Sequence, residues 1–276
     1  MADRLLDDDL VVVGQQADSL ELRSWSELEL EQRLKLPTTW ESWEVIAVAR
    51  RGLIAAADSA GTIFLFFLEA GKVARLACAP HRVRALEFSD DGTSLAALLD
   101  HRSAGAVRVW RIGQARPYLY MDNLDRRGIA SPARSLVGVS GALSFDESGE
   151  FLHVGVTCLG AEVHRWTGWR AHLCAYDLVD GRLRWSAEVD AEVTGDLRGV
   201  HDLERGVGLP GPTMLVEGAE LISAGLAGAV TRLDSRDGAA RGFTAYGSAL
   251  AITAIARAHD GGLWALDERG HLFEVG

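Results

Sequence analysis

The sequence predicts an all-β protein built from repeated four-stranded antiparallel units, on three observations. Its apolar runs are mostly about four to eight residues long and stop at Gly, Asp or Ser, which is the length and punctuation of strands. A turn followed by an apolar strand recurs six times along the chain. The 276 residues, 48% of them hydrophobic and 24% charged, have the composition of a folded chain large enough to bury a substantial core.

Other bulk properties narrow the class. The longest purely apolar run, Ile63 to Leu68, falls far short of the roughly 18 residues a membrane helix needs, so no membrane span is expected. The opening MADRLLDDDL sets four aspartates, three of them consecutive, where a secretory signal carries basic residues and then an apolar core, which points to the cytoplasm. Cys78, Cys158 and Cys174 are odd in number and form no short-spaced pair, as expected of reduced, buried thiols. A net charge of −11 argues against nucleic acid as a direct ligand, although local basic pairs such as Arg126 and Arg127 remain. Only Lys35 and Lys72 are lysines, and this arginine bias, with the abundance of Ala and Gly, suggests a GC-rich bacterial genome.

Along the chain, the first copy offers strands at Leu10–Val13, Leu20–Arg23 and Glu31–Leu36. Ser26-Glu27-Leu28-Glu29 fits a helix capping box, so Ser26–Leu36 has a helical alternative, but the strand reading is preferred. The second copy gives Leu53–Ala57, a turn at Asp58–Gly61, Ile63–Leu68, a Glu-Ala-Gly turn and Val73–Leu76. Its middle run is apolar at successive positions, so both faces of that strand must be covered, as between stacked sheets. Val83–Leu99 (VRALEFSDDGTSLAALL) and Gly141–Val156 (GALSFDESGEFLHVGV) each read as two strands around an acidic-Gly turn. Downstream of the third strands, LEAGKVARL and LVDGRLRWSAEV read as a turn and a more polar outer strand. The last copy offers Ile252–Ala256, Leu263–Leu266 and His271–Val275. With Asp18, Gly61, Gly105, Gly168, Gly228 and Gly270 as markers of the turn before the third strand, the spacings are 43, 44, 63, 60 and 42 residues. Three intervals share a period and two carry extra residues, assigned to insertions near 116–140 and 190–213.

These segments resemble a β-propeller of the WD-repeat type over essentially the whole chain. FSDDGTSLAALL resembles the first two strands of such a repeat and GAVRVWRI its third, with Trp110 at the Trp position. In that family a His ahead of the first strand, an Asp in the turn between the second and third strands and the Trp form a buried hydrogen-bonded set. His81 stands at the His position, but Ser103 or Ala104 occupies the Asp position and Arg111 follows the Trp, so packing is expected to hold the unit instead. CAYDLVDGRLRW (Cys174–Trp185) resembles the quinoprotein-like propeller repeat, in which a turn Gly and a docking Trp lock neighbouring blades; Gly181 and Trp185 match them. The resemblance implies one propeller domain over residues 1–276. Six blades are preferred, with five or seven open, and Asp3–Leu6 is the candidate for closing the last blade.

No catalytic set emerges. His153, Cys158, His164, His172 and Cys174 have zinc-ligand chemistry but no ligand spacing, so no metal is assigned. Asp196, His201, Asp202 and Glu204 could move protons, yet no nucleophile accompanies them, and Gly138–Ala142 misses G-x-S-x-G at its last residue. No phosphate loop exists and no cofactor-binding set is found, so no cofactor is assigned. Trp110, Trp185 and Trp264 fall in strands and read as structural, whereas Trp40, Trp43, Trp166 and Trp169 lie at or beside loops, where a binding role and a gap-filling role weigh evenly. The partner-binding candidates are Trp40, Trp43, Arg82, Arg126, Arg127, Trp166, Trp169 and His201, with long connections expected to carry the function. The expectation is a non-enzymatic scaffold or adaptor that binds protein partners within a larger cytoplasmic assembly. A hydrolase or lyase at the central channel mouth, drawing on Arg82, His101, Asp196 and His201, or a small-molecule or peptide sensor, is the alternative.

Overall fold

The structure, a computed structural model, describes residues 10–16, 19–24, 30–35, 43–49, 52–58, 61–76, 81–100, 105–122, 124, 140–162, 165–188, 213–225, 228–246, 252–258, 261–267 and 269–276. Among these, strands form six antiparallel sheets, each a meander of chain neighbours. The first sheet has β1 (Leu10–Gln16), β2 (Ser19–Ser24) and β3 (Leu30–Lys35). The second has β4 (Trp43–Ala49), β5 (Leu53–Asp58), β6 (Ile63–Phe67) and β7 (Lys72–Leu76). The third has β8 (Val83–Phe88), β9 (Ser94–Leu99), β10 (Ala106–Arg111) and β11 (Leu119–Asp122). The fourth has β12 (Ser140–Phe145), β13 (Phe151–Glu162), β14 (Arg165–Asp177) and β15 (Leu183–Glu188). The fifth has β16 (Thr213–Glu217), β17 (Glu220–Ala224), β18 (Ala229–Asp234) and β19 (Ala240–Ala245), and the last has β20 (Ile252–Arg257), β21 (Leu263–Asp267) and β22 (Leu272–Val275). No described helix is long and apolar enough to cross a membrane.

Burial follows strand order within a sheet. Every residue of β5 is buried, as are four of the five in β6, whereas β7 exposes Lys72, Val73 and Arg75. The same gradient separates β17 and β18 from β19. Continuous apolar runs therefore mark middle strands with a sheet on each face, as the run Ile63–Leu68 predicts. One cluster joins Ala55, Ile63 and Leu65 of the second sheet to Leu86, Leu95 and Trp110 of the third. Another joins Leu98, Val109 and Met121 of the third to Leu143, Val154 and Tyr176 of the fourth. The first strands of successive sheets lie beside one another, β4 with β8, β8 with β12, β12 with β16 and β16 with β20. Trp110 is fully buried and its Nε1 has no hydrogen-bond partner among the described residues, so packing anchors it.

Two details differ from the sequence reading, whereas the preferred strand over Leu30–Lys35 holds and its helical alternative does not. Gly168 is not a turn residue: it lies inside β14 across from Gly160, and residues 163 and 164 link the two strands. The stretch expected as an insertion from 116 gives Leu119–Asp122 to the third sheet, which leaves 123–139 as the connection.

The fourth and fifth sheets are locked through one carbonyl. Trp185 Nε1 donates to Ser235 O at 3.0 Å, and His153 Nε2 lies 2.8 Å from the same oxygen. The His153 and Trp185 rings sit 5.8 Å apart, and a Cβ on Gly238 (φ 74°) would fall 2.7 Å from the indole. Only glycine lets that turn press on the ring. Gly181 has the equivalent role at the preceding seam, its absent Cβ leaving room for Leu119 and Met121 of β11. Both glycines close the same motif, Asp-x-x-Asp-Gly-x-x-Arg, at 177–184 and at 234–241. In each, the first Asp pairs with the Arg and its carbonyl accepts the Gly N–H, at 2.8 Å from Gly181 and 2.9 Å from Gly238. We predict that Trp185→Ala removes about 3–5 kcal/mol of unfolding free energy, the range of buried aromatic truncations, measured by denaturant unfolding. Arg182→Ala, at an exposed side chain in the same hairpin, is expected to change stability by less than about 1 kcal/mol.

Candidate functional site

In a four-stranded meander the second turn and the exit toward the next sheet share one end of the sheet, and the first and third turns share the other. Neighbouring sheets run in step. At the first end, a Cβ on Gly61 would fall 1.9 Å from His81 O, which sets the β5–β6 turn against the segment entering β8. Gly141, opening β12, similarly abuts Leu98 near the end of β9, and Ile252 N–H, opening β20, donates to Gly225 O of the β17–β18 turn at 3.1 Å. At the opposite end Gly218 N–H donates to Glu147 at 2.8 Å, and Arg257 Nε donates to Glu217 at 2.6 Å. The inter-sheet connections and the second turns of the second to sixth sheets thus attach at one common end.

Two of those second turns share a chemistry. Asp58 accepts from Thr62 N–H at 2.6 Å, and its backbone carbonyl accepts from Gly61 N–H at 3.0 Å. Asp267 accepts from the N–H groups of Arg269 (2.8 Å) and His271 (2.9 Å), while its carbonyl takes Gly270 N–H at 3.0 Å. An aspartate followed three residues later by a glycine with positive φ (80° and 82°) closes a tight turn because the carboxylate satisfies N–H groups that the reversal leaves unpaired. In the fourth sheet the second turn is replaced by a projection. The ladder between β13 and β14 runs from Phe151–Asp177 to Glu162–Arg165, but β12 pairs only as far as Thr157 and β15 only as far as His172. Residues 158–162 and 165–170 therefore form a two-stranded ribbon beyond the sheet.

The sequence-predicted residues converge on this end to the extent that they are described. Trp166 and Trp169 lie in the ribbon, paired with Ala161 and Leu159. Trp43 opens β4 across from Asp58, and Arg82 directly precedes β8, its carbonyl accepting Asp100 N–H at 2.8 Å. Trp40, Arg126, Arg127 and His201 lie outside the described residues, in the connections that lead into β4, β12 and β16. His101, Asp196, Asp202 and Glu204 are outside them as well. The ribbon itself escapes sequence reasoning, because HRWTGWRAH carries no apolar alternation that separates a strand from a loop.

The His and Cys group is split by the pleat. His153 pairs with Ala175 and faces Trp185 toward the fifth sheet, whereas His172 and Cys174 fall on the opposite face, toward the third. Cys158 lies in the ribbon and His164 outside the described residues. No group of three or more metal-ligating side chains gathers among the described residues. Burial pushes the Cys174 thiol up to about 12, so it stays protonated and unreactive, and burial also lowers the His153 pKa and keeps that ring neutral. Ser140 begins β12 across from Thr157 and sits on no elbow.

One unusual carboxyl has no signature in the sequence. Glu87 on β8 pairs with Ala96, on the face that packs against the fourth sheet. Desolvation there, aided by repulsion from Asp90, pushes its pKa from 4.5 up to about 8. Three turn aspartates shift the other way. Asp177 is lowered first by the Arg184 hydrogen bond, Asp234 by the Arg236 N–H and Asp267 by the His271 N–H. Comparison with protein-family models and with curated proteins finds no match for the chain.

These shifts give opposite pH windows. The Glu87 contribution is complete below about 4.5 and lost as pH rises toward about 8, because the folded state holds the proton longer. The aspartates contribute above the usual carboxylate range, and that stability is lost as pH falls through their depressed folded pKa values. Urea unfolding from pH 3 to 9 is expected to show a maximum near mildly acidic pH. Glu87→Gln is expected to flatten the alkaline limb and to gain about 2 kcal/mol at pH 8, after allowance for partial solvent screening. An alkaline limb unchanged in the variant would refute the assignment.

Proposed function

We propose that the chain is a WD-repeat-like propeller of six blades that serves as a non-enzymatic scaffold or adaptor in a cytoplasmic multiprotein assembly. In support, six sheets follow one another with middle strands covered on both faces and first strands side by side. Two sheets have three strands where the others have four. The Asp18 marker falls between β1 and β2 in the sequence, which makes β1 the second strand of its sheet by the spacing of the other copies. Among the described residues the first sheet then has no inner strand and the last no outer one, for which Asp3–Leu6 is the candidate.

The observation that carries the functional reading is the concentration of long connections and of the β13–β14 ribbon at one end of the sheets. Segments of 17 residues (123–139) and 24 residues (189–212) join sheets whose internal turns are short. Variable segments presented by a rigid frame are the usual means of recognising a partner. Trp166 and Trp169 add two aromatic side chains to the ribbon, the residue type richest in interface energy. Cys174, a buried thiol, is held protonated and so is no nucleophile.

The test is affinity purification of the tagged chain from its own cells, with gel filtration and mass spectrometry of what co-elutes. A stoichiometric partner is expected, and the double variant Trp166→Ala/Trp169→Ala is expected to lose it by about tenfold or more in affinity with an unchanged unfolding midpoint. Partner retention at full strength in that variant would refute the face. Turnover of a metabolite by the purified chain alone would refute the non-enzymatic reading.

A further inference from the structure

The seams between sheets are closed differently at the outer perimeter. Between the third and fourth sheets, the turn carrying Gly181 presses on Leu119 and Met121 of β11, and Gly238 presses on Trp185 one seam later. The corresponding turn of the third sheet carries Gly113, and nothing described lies within 4 Å of the place its Cβ would take. Gly113 makes no contact with β7 among the described residues, although Ile112 of the same turn packs on the cluster that the second and third sheets share. Among the described residues, the seam between the second and third sheets therefore lacks the glycine contact that closes the outer margin of the next two.

Register identifies what lines it. Pro117, Leu119 and Met121 are buried on the face of β11 covered by the fourth sheet, while Tyr118 (36% exposed) and Tyr120 (52% exposed) alternate onto the other face. That face is shared with Arg108 and Trp110 and looks toward the second sheet. The opposing wall is Lys72 and Ala74 of β7, which pair with Phe67 and Leu65 on the same cluster. Arg108 lies over the Tyr120 ring at 5.0 Å and is neutralised by Asp122, whereas Arg111 lies over the Tyr118 ring at 5.1 Å. Arg111, Arg116 in the turn before β11, and Lys72 are exposed and make no ion pair with a described carboxylate. A chain of net charge −11 thus carries, at this margin, three cations without an ion-pair partner among the described residues, around two exposed tyrosines.

We propose that this seam is a docking surface for an acidic, extended segment of a partner protein. Tyrosine rings already stiffened by stacked guanidinium groups present large apolar area at low entropic cost. The cations supply charge complementarity, and the seam runs along the strand direction between Lys72–Leu76 and Leu119–Asp122, which suits an extended backbone. The surface lies at the outer strands, apart from the ribbon and the connections, and does not depend on the function proposed for them.

The probe is a fluorescein-labelled peptide of alternating glutamate and leucine, titrated with the full chain by fluorescence anisotropy at low salt. Saturable binding that weakens with added salt is expected. Tyr118→Ser/Tyr120→Ser and, separately, Arg111→Glu/Arg116→Glu are each expected to weaken it by about tenfold or more. All four side chains are exposed and the variants are expected to unfold at the wild-type midpoint, while Trp166→Ala/Trp169→Ala binds the peptide as the wild type does. Absence of saturable binding to the wild type would overturn the proposal, as would equal binding by the charge-reversal variant. Tighter binding of single-stranded oligothymidine at the same residues would also overturn it. So would a dimer, seen by sedimentation, that the same substitutions dissolve.

Discussion

Coverage of the middle strands on both faces is the constraint from which the remaining features follow. Ala55, Ala57, Ile63 and Leu65 are solvent-free because the third sheet covers one side, and Ile54, Ala56 and Phe66 are equally buried on the other. A sheet in isolation would expose half of these side chains, at a cost of about 25 cal/mol for each Å² of apolar surface left in water. Each sheet is therefore stable only between neighbours, and stability spreads along the series through nearest-neighbour seams.

The seams divide the labour between apolar mass and a few polar fasteners. The Ser235 carbonyl receives both Trp185 and His153, so a single backbone oxygen of the fifth sheet ties two side chains of the fourth. At the turn end, Glu147 with Gly218 and Arg257 with Glu217 tie successive turns across the series. Most of the ion pairs, such as Arg184 with Asp177, bridge neighbouring strands at partly exposed positions, where each adds little to stability. Glu87 stands out by contrast. It is a carboxyl held in an apolar seam without a counter-ion among its described partners, so its charge is suppressed rather than compensated.

The same arrangement decides where recognition can occur. Rigid meanders leave only their two ends and their outer margin free to vary. One end carries the Asp-x-x-Asp-Gly turns, and the other receives the long connections, the ribbon of β13 and β14 and the Asp-x-x-Gly turns. The outer margin is closed by glycine turns on β11 and β15, a contact that β7 lacks among the described residues. An overall acidic chain with an Arg- and Tyr-lined margin therefore distinguishes its surfaces by charge as well as by shape.

Strand length, turn chemistry and repetition were legible in the sequence because each rests on local rules. IFLFFL could only be a strand covered on both faces, and Asp-x-x-Gly could only be a tight reversal. The second Asp-x-x-Asp-Gly-x-x-Arg motif, at 234–241, is equally written there, but alignment on the glycine before the third strand hides a signal placed after it. Gly168 misleads for a related reason: a glycine across from Gly160 in a ribbon carries the same letter as a glycine in a turn. Which neighbouring strand each third turn meets was decided by tertiary structure. Gly113, Gly181 and Gly238 all have positive φ in third turns, but only the last two, which close the Asp-x-x-Asp-Gly-x-x-Arg motif, meet a neighbouring strand. The angle and spacing of adjacent sheets arise from the summed packing of many side chains, and no local pattern encodes that sum.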